Sequence, residues 1–263
     1  MRLATQAMGT RFELVVLGDD ETSLRAIGEQ AIERIEAAHR SFTRFDESSL
    51  LAHLRRTAPD LTEVDSDEFA LFSEALDVTR QSGRSFDPSL GRAGFDALVR
   101  LEPATRRVGV ANPAARFDFG AIAKGHAVEL AVTVLRDGGV RAGFVHGGTS
   151  SGFGFGAPGP SSGWRVSLGP GRWDPVLELR DQGFSVSGVW SERDGHRTPH
   201  TINPGTGRAL RADRRVAVVG PSPRLADAWS TAILVSGCRP AALGGEWRVW
   251  QSDARHQWTP LDG

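Results

Sequence analysis

Helical and strand periodicities follow one another irregularly along this chain, and that irregular order restricts the fold more than any single motif does. Phe12, Leu14 and Val16 alternate with Arg11, Glu13 and Val15, which is the period of a half-buried strand over 11–17. Leu24, Ile27, Ala31 and Ile35 then recur at helical spacing, predicting an amphipathic helix over about 21–39. A second helix is expected over 67–82, capped by Ser66 and ended by Gly83. A third runs over 121–137 to Gly138-Gly139, and a fourth over 225–236 to Gly237. Short strand-like runs lie between them at 106–110, 142–146, 164–168, 175–179, 184–187, 215–219 and 246–251. Strands and helices mixed without βαβ alternation point to an α+β fold with mostly antiparallel sheet and packed helices. No linker is long enough to divide the chain, so residues 1–263 are expected to form a single domain.

One stretch breaks every period. Gly147 to Gly163 holds seven glycines and two prolines, and it reads either as a flexible loop or as a main-chain cradle for a ligand. Its abrupt start after Phe144-Val145 favours the cradle.

Charge removes several classes of function. Thirty-one basic against 32 acidic residues, with no basic tract, argue against a nucleic-acid binder, whose affinity depends on neutralising phosphates. No apolar run is long enough to span a bilayer. Cys238 is the only cysteine, so neither an internal disulfide nor a thiolate metal cluster is expected. Residues 1–17 lack the layout of a secretory leader. The expected location is therefore the cytoplasm, or the periplasm if an upstream segment has been removed.

Of the 31 basic side chains thirty are arginines, and the single lysine falls in the densest motif, Asp118-Phe119-Gly120-Ala121-Ile122-Ala123-Lys124-Gly125-His126-Ala127. A chain that otherwise uses Arg keeps here a compact, movable point charge, which suits a phosphate against close-packed backbone. Gly120, Ala121, Ala123 and Gly125 leave room for a ligand to approach the main chain, and a helix start adds N–H groups and partial positive charge. A lysine–phosphate contact at about 4 Å and an effective dielectric near 20 is worth roughly 4 kcal/mol before desolvation. Neither the Gly-x-x-x-x-Gly-Lys phosphate loop nor a dinucleotide fingerprint is present, so generic nucleotide motifs do not identify the site.

Two further constellations are ambiguous by themselves. Asp227 and Thr231 stand four apart on the fourth helix, where they either offer hard oxygens to Mg²⁺ or serve only their own helix. His200 precedes the Asn203-Pro204-Gly205 turn, and is either a base held on a rigid corner or a structural histidine.

Taken in order, with Ala7-Met8-Gly9-Thr10 in front, these segments resemble the ApbE family of FAD:protein FMN transferases. Phe86-Asp87-Pro88-Ser89-Leu90-Gly91 is similar to the family's Phe-Asp-Pro-Thr-Val-Gly, Gly147-Gly148 to its Gly-Gly-Asp loop, Ser187-Gly188 to its Ser-Gly step, and Ala226 to Thr231 to its Ala-Asp-Ala-x-x-Thr. The resemblance spans about residues 5–237. It implies a single T-fold-like domain that binds FAD with Mg²⁺, moves FMN onto a Thr or Ser hydroxyl of an acceptor flavoprotein, and releases AMP. By the same resemblance Asp227, Thr231 and the main-chain carbonyl of Ala121 would hold Mg²⁺. Met8, Asp118, Lys124, Gly147, Gly148 and Ile202 would contact FAD. His200 would assist attack by the acceptor hydroxyl, with Asp227 a second candidate for that role.

Departures from the pattern are specific. Thr149 replaces the acid of the Gly-Gly-Asp loop, Asn203 stands where Asp is common, and the chain contains no tyrosine. Thr149 and Asn203 keep open a flavin-binding protein without catalysis, and a further alternative is an FAD pyrophosphatase giving FMN and AMP, with water in place of the acceptor hydroxyl.

Overall fold

The computed structural model describes residues 1–263 except 92, 160–162, 170–173, 194–195, 256 and 263, and excluding the side chains of 191–193 and 196–197. The chain opens with β1 (Arg2–Ala7), β2 (Thr10–Leu17), α1 (Glu21–Phe42), α2 (Leu50–Arg56), β3 (Leu61–Glu63) and α3 (Ser66–Gln81). It continues through α4 (Phe95–Leu98), β4 (Val99–Glu102), β5 (Arg107–Val110), α5 (Ala123–Asp137), β6 (Ala142–Gly147), β7 (Ser151–Phe155), β8 (Trp164–Ser167) and β9 (Val176–Leu179). There follow β10 (Gln182–Gly188), β11 (Trp190–Arg193), β12 (His196–Pro199), β13 (Ile202–Asn203), β14 (Arg208–Ala209), β15 (Arg215–Gly220), α6 (Pro223–Ser236), β16 (Arg248–Ser252) and β17 (Trp258–Pro260).

Eight strands form the main sheet in the order β1-β2-β6-β7-β10-β15-β16-β17. Every neighbouring pair is antiparallel. The first turn is a two-residue hairpin in which Met8 and Gly9 both take positive φ, +51° and +72°. Such a turn matches the twist of the strands it joins. Along β2 the inward set Phe12, Leu14 and Val16 is fully buried, as the alternation requires. Strand β15 is covered on both faces. Val216 and Val218 join the core under the helices, while Ala217 and Val219 join a smaller core with Leu177 and Leu179 of the β8–β9 hairpin.

Helices α1, α5 and α6 pack side by side against the sheet. Leu24, Gly28, Ala31, Ile35, Ala38 and Phe42 make the buried stripe of α1. The helix over 67–82 is confirmed, but its cap is Asp65 rather than Ser66. Asp65 Oδ1 accepts from the Asp67 and Glu68 amides at 2.9 and 2.7 Å, and Glu68 Oε2 accepts from the Asp65 amide at 3.2 Å. This reciprocal box satisfies more orphan amides than a serine cap does, which is why it wins.

The stretch from Gly147 to Gly163 is also corrected. It is not one loop, because it contains β7, wholly buried between β6 and β10. Glycines at 152 and 154 are needed there, since a Cβ would lie 2.7 Å from the Phe184 ring and 2.8 Å from Trp164 respectively. Small residues seated under aromatic rings hide a central strand from any reading by hydrophobic period. Residues 160–162 of this stretch lie outside the described residues.

Candidate functional site

Phe117-Asp118-Phe119 sets the first wall. The two phenylalanines are buried among Phe42, Phe72 and Phe95, with ring centroids 5.1–6.5 Å apart. Truncating one such ring costs about 3–5 kcal/mol, so the segment is firmly anchored. Because 117 and 119 turn inward, Asp118 between them faces the cleft. Its Oδ1 accepts the Gly120 amide at 2.9 Å and its Oδ2 pairs with Arg44 at 2.9 Å.

The second wall comes from close crossing of α5 and α6. Gly125 makes it possible, since a Cβ there would stand 2.2 Å from the Pro223 carbonyl oxygen. At this crossing the Gly125 amide donates to Asp227 Oδ2 at 3.0 Å. Ser151 and Ser185, cross-strand partners on β7 and β10, donate to Oδ1 at 3.1 and 2.9 Å. Asp227 is 2 % exposed, and leaving a polar group so buried without partners would cost about 1–3 kcal/mol. Lys124 Nζ lies 3.9 Å from Asp227 Oδ1 and donates to the Gly120 carbonyl at 2.9 Å.

The free amides expected at the start of α5 are largely engaged. Ala123 donates to Phe119 and Gly125 to Asp227, so the positive end of the helix is met by a carboxylate of the protein itself. Lys124 is left as the principal cation at this entrance.

Both walls, the Met8 turn and the segment around His200 line one cleft of about 1150 Å³. Gly91 ties the Asp87–Gly91 loop to the Asn203-Pro204 turn, because a Cβ there would lie 1.8 Å from the Pro204 oxygen. His200 is exposed at the rim, and its amide donates to the Val189 carbonyl at 3.0 Å. Partial desolvation, followed by the charge of Lys124, lowers its pKa below the ordinary histidine value and favours neutral imidazole.

Of the residues singled out in the sequence, Met8, Asp118, Ala121, Lys124, His200, Ile202, Asp227 and Thr231 all line this cleft. Gly147 and Gly148 stand behind it. A Cβ at Gly147 would strike the Phe12 ring at 2.7 Å, and the lining itself is formed by Thr149 and Ser150. Sequence reasoning missed Arg44, Ser151 and Ser185. Only the strand register that pairs Ser151 with Ser185 would have pointed to the two serines.

Among the described residues no group of three or more His, Cys, Asp or Glu could hold a metal ion. A different donor set is available. Oδ2 of Asp227 keeps a free lone pair beside the Gly125 bond, Thr231 Oγ1 is steered by Ser187 Oγ at 3.0 Å, and Ala121 lines the same wall. One carboxylate with neutral oxygens fits a hard divalent cation that completes its shell with phosphate and water.

The family model described as "ApbE family" matches residues 8–95 and 92–243. The chain belongs to the ApbE family. A FAD:protein FMN transferase of Rhodobacter capsulatus is 29% identical over 208 residues, covering 66% of this chain and 39% of that protein. One from Salmonella typhimurium is 28% identical over 134 residues, or 47% and 38% of the two chains. The chain thus matches about two-fifths of the length of these curated relatives. Among solved ApbE structures, the Thermotoga maritima protein aligns at TM-score 0.83 and 21% identity over 100% of this chain and 97% of that one. The apo Pseudomonas stutzeri flavinyl transferase ApbE aligns at 0.76 and 19%, over 100% and 94%. These likenesses establish the ApbE fold, a single mixed domain of helices and antiparallel sheet.

Proposed function

We propose that this protein transfers FMN from FAD to a Thr or Ser hydroxyl of an acceptor flavoprotein, with Mg²⁺, and releases AMP. The observation that carries this reading is the 3.9 Å separation of Lys124 Nζ and Asp227 Oδ1 on the floor of a cleft whose rim bears His200. The names of the relatives support the same activity. At about 1150 Å³ the cleft exceeds the roughly 300–1,000 Å³ usual for small-ligand pockets, leaving room for a dinucleotide and an entering side chain.

Charge accounting supports a divalent ion. The lining holds Asp87, Asp118 and Asp227 against Arg44, Lys124 and Arg215, so it is formally balanced before a pyrophosphate enters. Asp227, Thr231 and the Ala121 carbonyl would hold Mg²⁺, which would neutralise charge on the phosphoryl oxygens and orient the pyrophosphate. Lys124, on the same wall, binds a phosphate oxygen beside them, where a fixed charge stabilises the transition state more than bulk water does. Neutral His200 accepts at a ring nitrogen the proton of the acceptor hydroxyl as its oxygen attacks the FMN phosphorus. The bond to the AMP phosphate breaks in the same displacement, and AMP leaves with the electron pair.

Incubation with FAD and Mg²⁺, with and without an acceptor flavoprotein, tests the reading. Acid-stable flavin fluorescence on the acceptor is expected. Free FMN and AMP in both arms would instead mark a pyrophosphatase, and intact bound FAD a flavin-binding protein without catalysis.

A further inference from the structure

Behind the cleft, on the far side of the α5–α6 crossing, lies a partly buried ionic cluster in which none of the cleft-lining residues takes part. Arg224, in the first turn of α6, is its centre, with only 11% of its side chain exposed. Nε and Nη2 donate to the two carboxylate oxygens of Glu74 on α3, at 2.7 and 2.8 Å. Nη2 also pairs with Glu129 Oε1 on α5 at 2.7 Å. Ser222, which caps α6, donates its hydroxyl to the other Glu129 oxygen at 2.6 Å.

Nη1 stands 3.2 Å from Nδ1 of His126. An arginine only donates, so Nδ1 accepts and the histidine proton resides on Nε2. One guanidinium thereby joins three helices, and its planar fork is the only cationic side chain that can make these contacts together.

Geometry links this cluster to the floor of the site. Arg224 lies one turn before Asp227, and His126 is next to Gly125, whose amide holds Asp227 Oδ2 at 3.0 Å. Lys124 precedes Gly125. Any slide or rotation of α6 against α5 therefore changes the Lys124–Asp227 spacing and the direction of the open Asp227 lone pair. Backbone contact at Gly125 limits how closely the helices approach, and the Arg224 fork adds resistance to sliding from the side away from the cleft.

We propose that Arg224, clamped by Glu74, Glu129 and His126, is a positioning residue that sets Asp227 for metal-assisted FAD binding. The proposal rests on the functional reading above. Groups behind metal ligands typically change metal affinity or activity by about 10–100-fold when altered, and an effect of that order is expected here.

The test compares wild type with Arg224→Lys, which keeps the charge and loses the fork, and with Glu74→Gln, which keeps the shape and loses one charge. FAD binding is followed by flavin fluorescence across a Mg²⁺ titration, alongside turnover and thermal unfolding. The expected result is a rise of about tenfold in the Mg²⁺ needed for half-maximal FAD binding and for turnover, with cooperative unfolding retained. Lower stability with an unchanged Mg²⁺ requirement in whichever variant folds would overturn the clamp and leave Arg224 a structural residue. A wild type that neither binds nor cleaves FAD with Mg²⁺ would overturn the functional reading itself, and the clamp with it.

Discussion

Asp227 on the floor of the cleft and His200 on its rim are both candidate catalytic groups, yet the fold holds them by different means. Asp227 is enclosed by α5, β7 and β10, with three hydrogen bonds on its carboxylate. His200 rides an exposed turn and is tied by its own amide to Val189, with the neighbouring Thr201 hydroxyl bonded to the Gly188 carbonyl at 3.0 Å. Under the proposed function the contrast separates two tasks. Charge on transferring phosphates is stabilised by groups fixed before the reaction, whereas a second macromolecular substrate needs a surface that it can reach.

The sharpest attempt to break this comparison is Asp227→Asn, which keeps the shape and removes the charge. Turnover with FAD should fall by at least about a hundredfold, more than loss of a group behind a metal ligand would cause. Near-normal turnover in that variant would show that the floor is not the reacting centre.

His200→Ala addresses the rim. Transfer to the acceptor should slow by about a hundredfold, the usual contribution of a general base, while the FAD dissociation constant stays as in wild type. The pH profile gives the sign. With a pKa lowered below 6.5, His200 is neutral above that lowered value, and transfer should decline as pH falls through it. Loss of this acidic limb in the alanine variant would assign it to His200, and an unchanged profile would remove the histidine from the mechanism.

A smaller effect is expected from Lys124→Arg. The guanidinium carries the same charge but is too broad for a side chain wedged between Gly120 and Asp227, so FAD should bind about tenfold more weakly in a fluorescence titration. Equal affinity would mean that the lone lysine is incidental.

The last effect lies behind the floor and falls on stability, with the site left as it is. Burial, then Arg224 and Arg34, lower the His126 pKa from 6.5 to about 3. The unfolded chain therefore binds a proton between these values that the folded protein does not. Stability should fall as pH drops from 6.5 toward 3, by at most about 1.4 kcal/mol per unit from this group. Urea unfolding at neutral and mildly acid pH should show a shallower dependence for His126→Gln, and an equal slope would place the acid sensitivity elsewhere.

Much of this protein was legible from period and punctuation. The stripe Leu24-Ala31-Ile35, the strand Phe12-Leu14-Val16 and the glycine stop at Gly237 each act within a few residues, and each reappears in the structure at nearly the expected bounds. The glycine-rich β7 was not legible, because its burial is due to Phe184 and Trp164, distant side chains that cover it. The pair Asp227 and Thr231 was visible as spacing, but by itself spacing did not distinguish a ligand pair from a helix detail.

Local chemistry thus determined the elements, the mixed α+β class and the identity of the conspicuous groups: one lysine, an aspartate and threonine four apart, and a histidine before a turn. Tertiary structure decided which of them meet. Gly125 brings α5 onto α6, the β7–β10 register sets two serine hydroxyls on Asp227, and Gly91 draws the His200 segment over the same cleft. The physical reason is separation along the chain. Contacts between residues 102 apart, such as the Gly125 amide and Asp227, arise from the packing of whole helices and strands, and no window of sequence contains them.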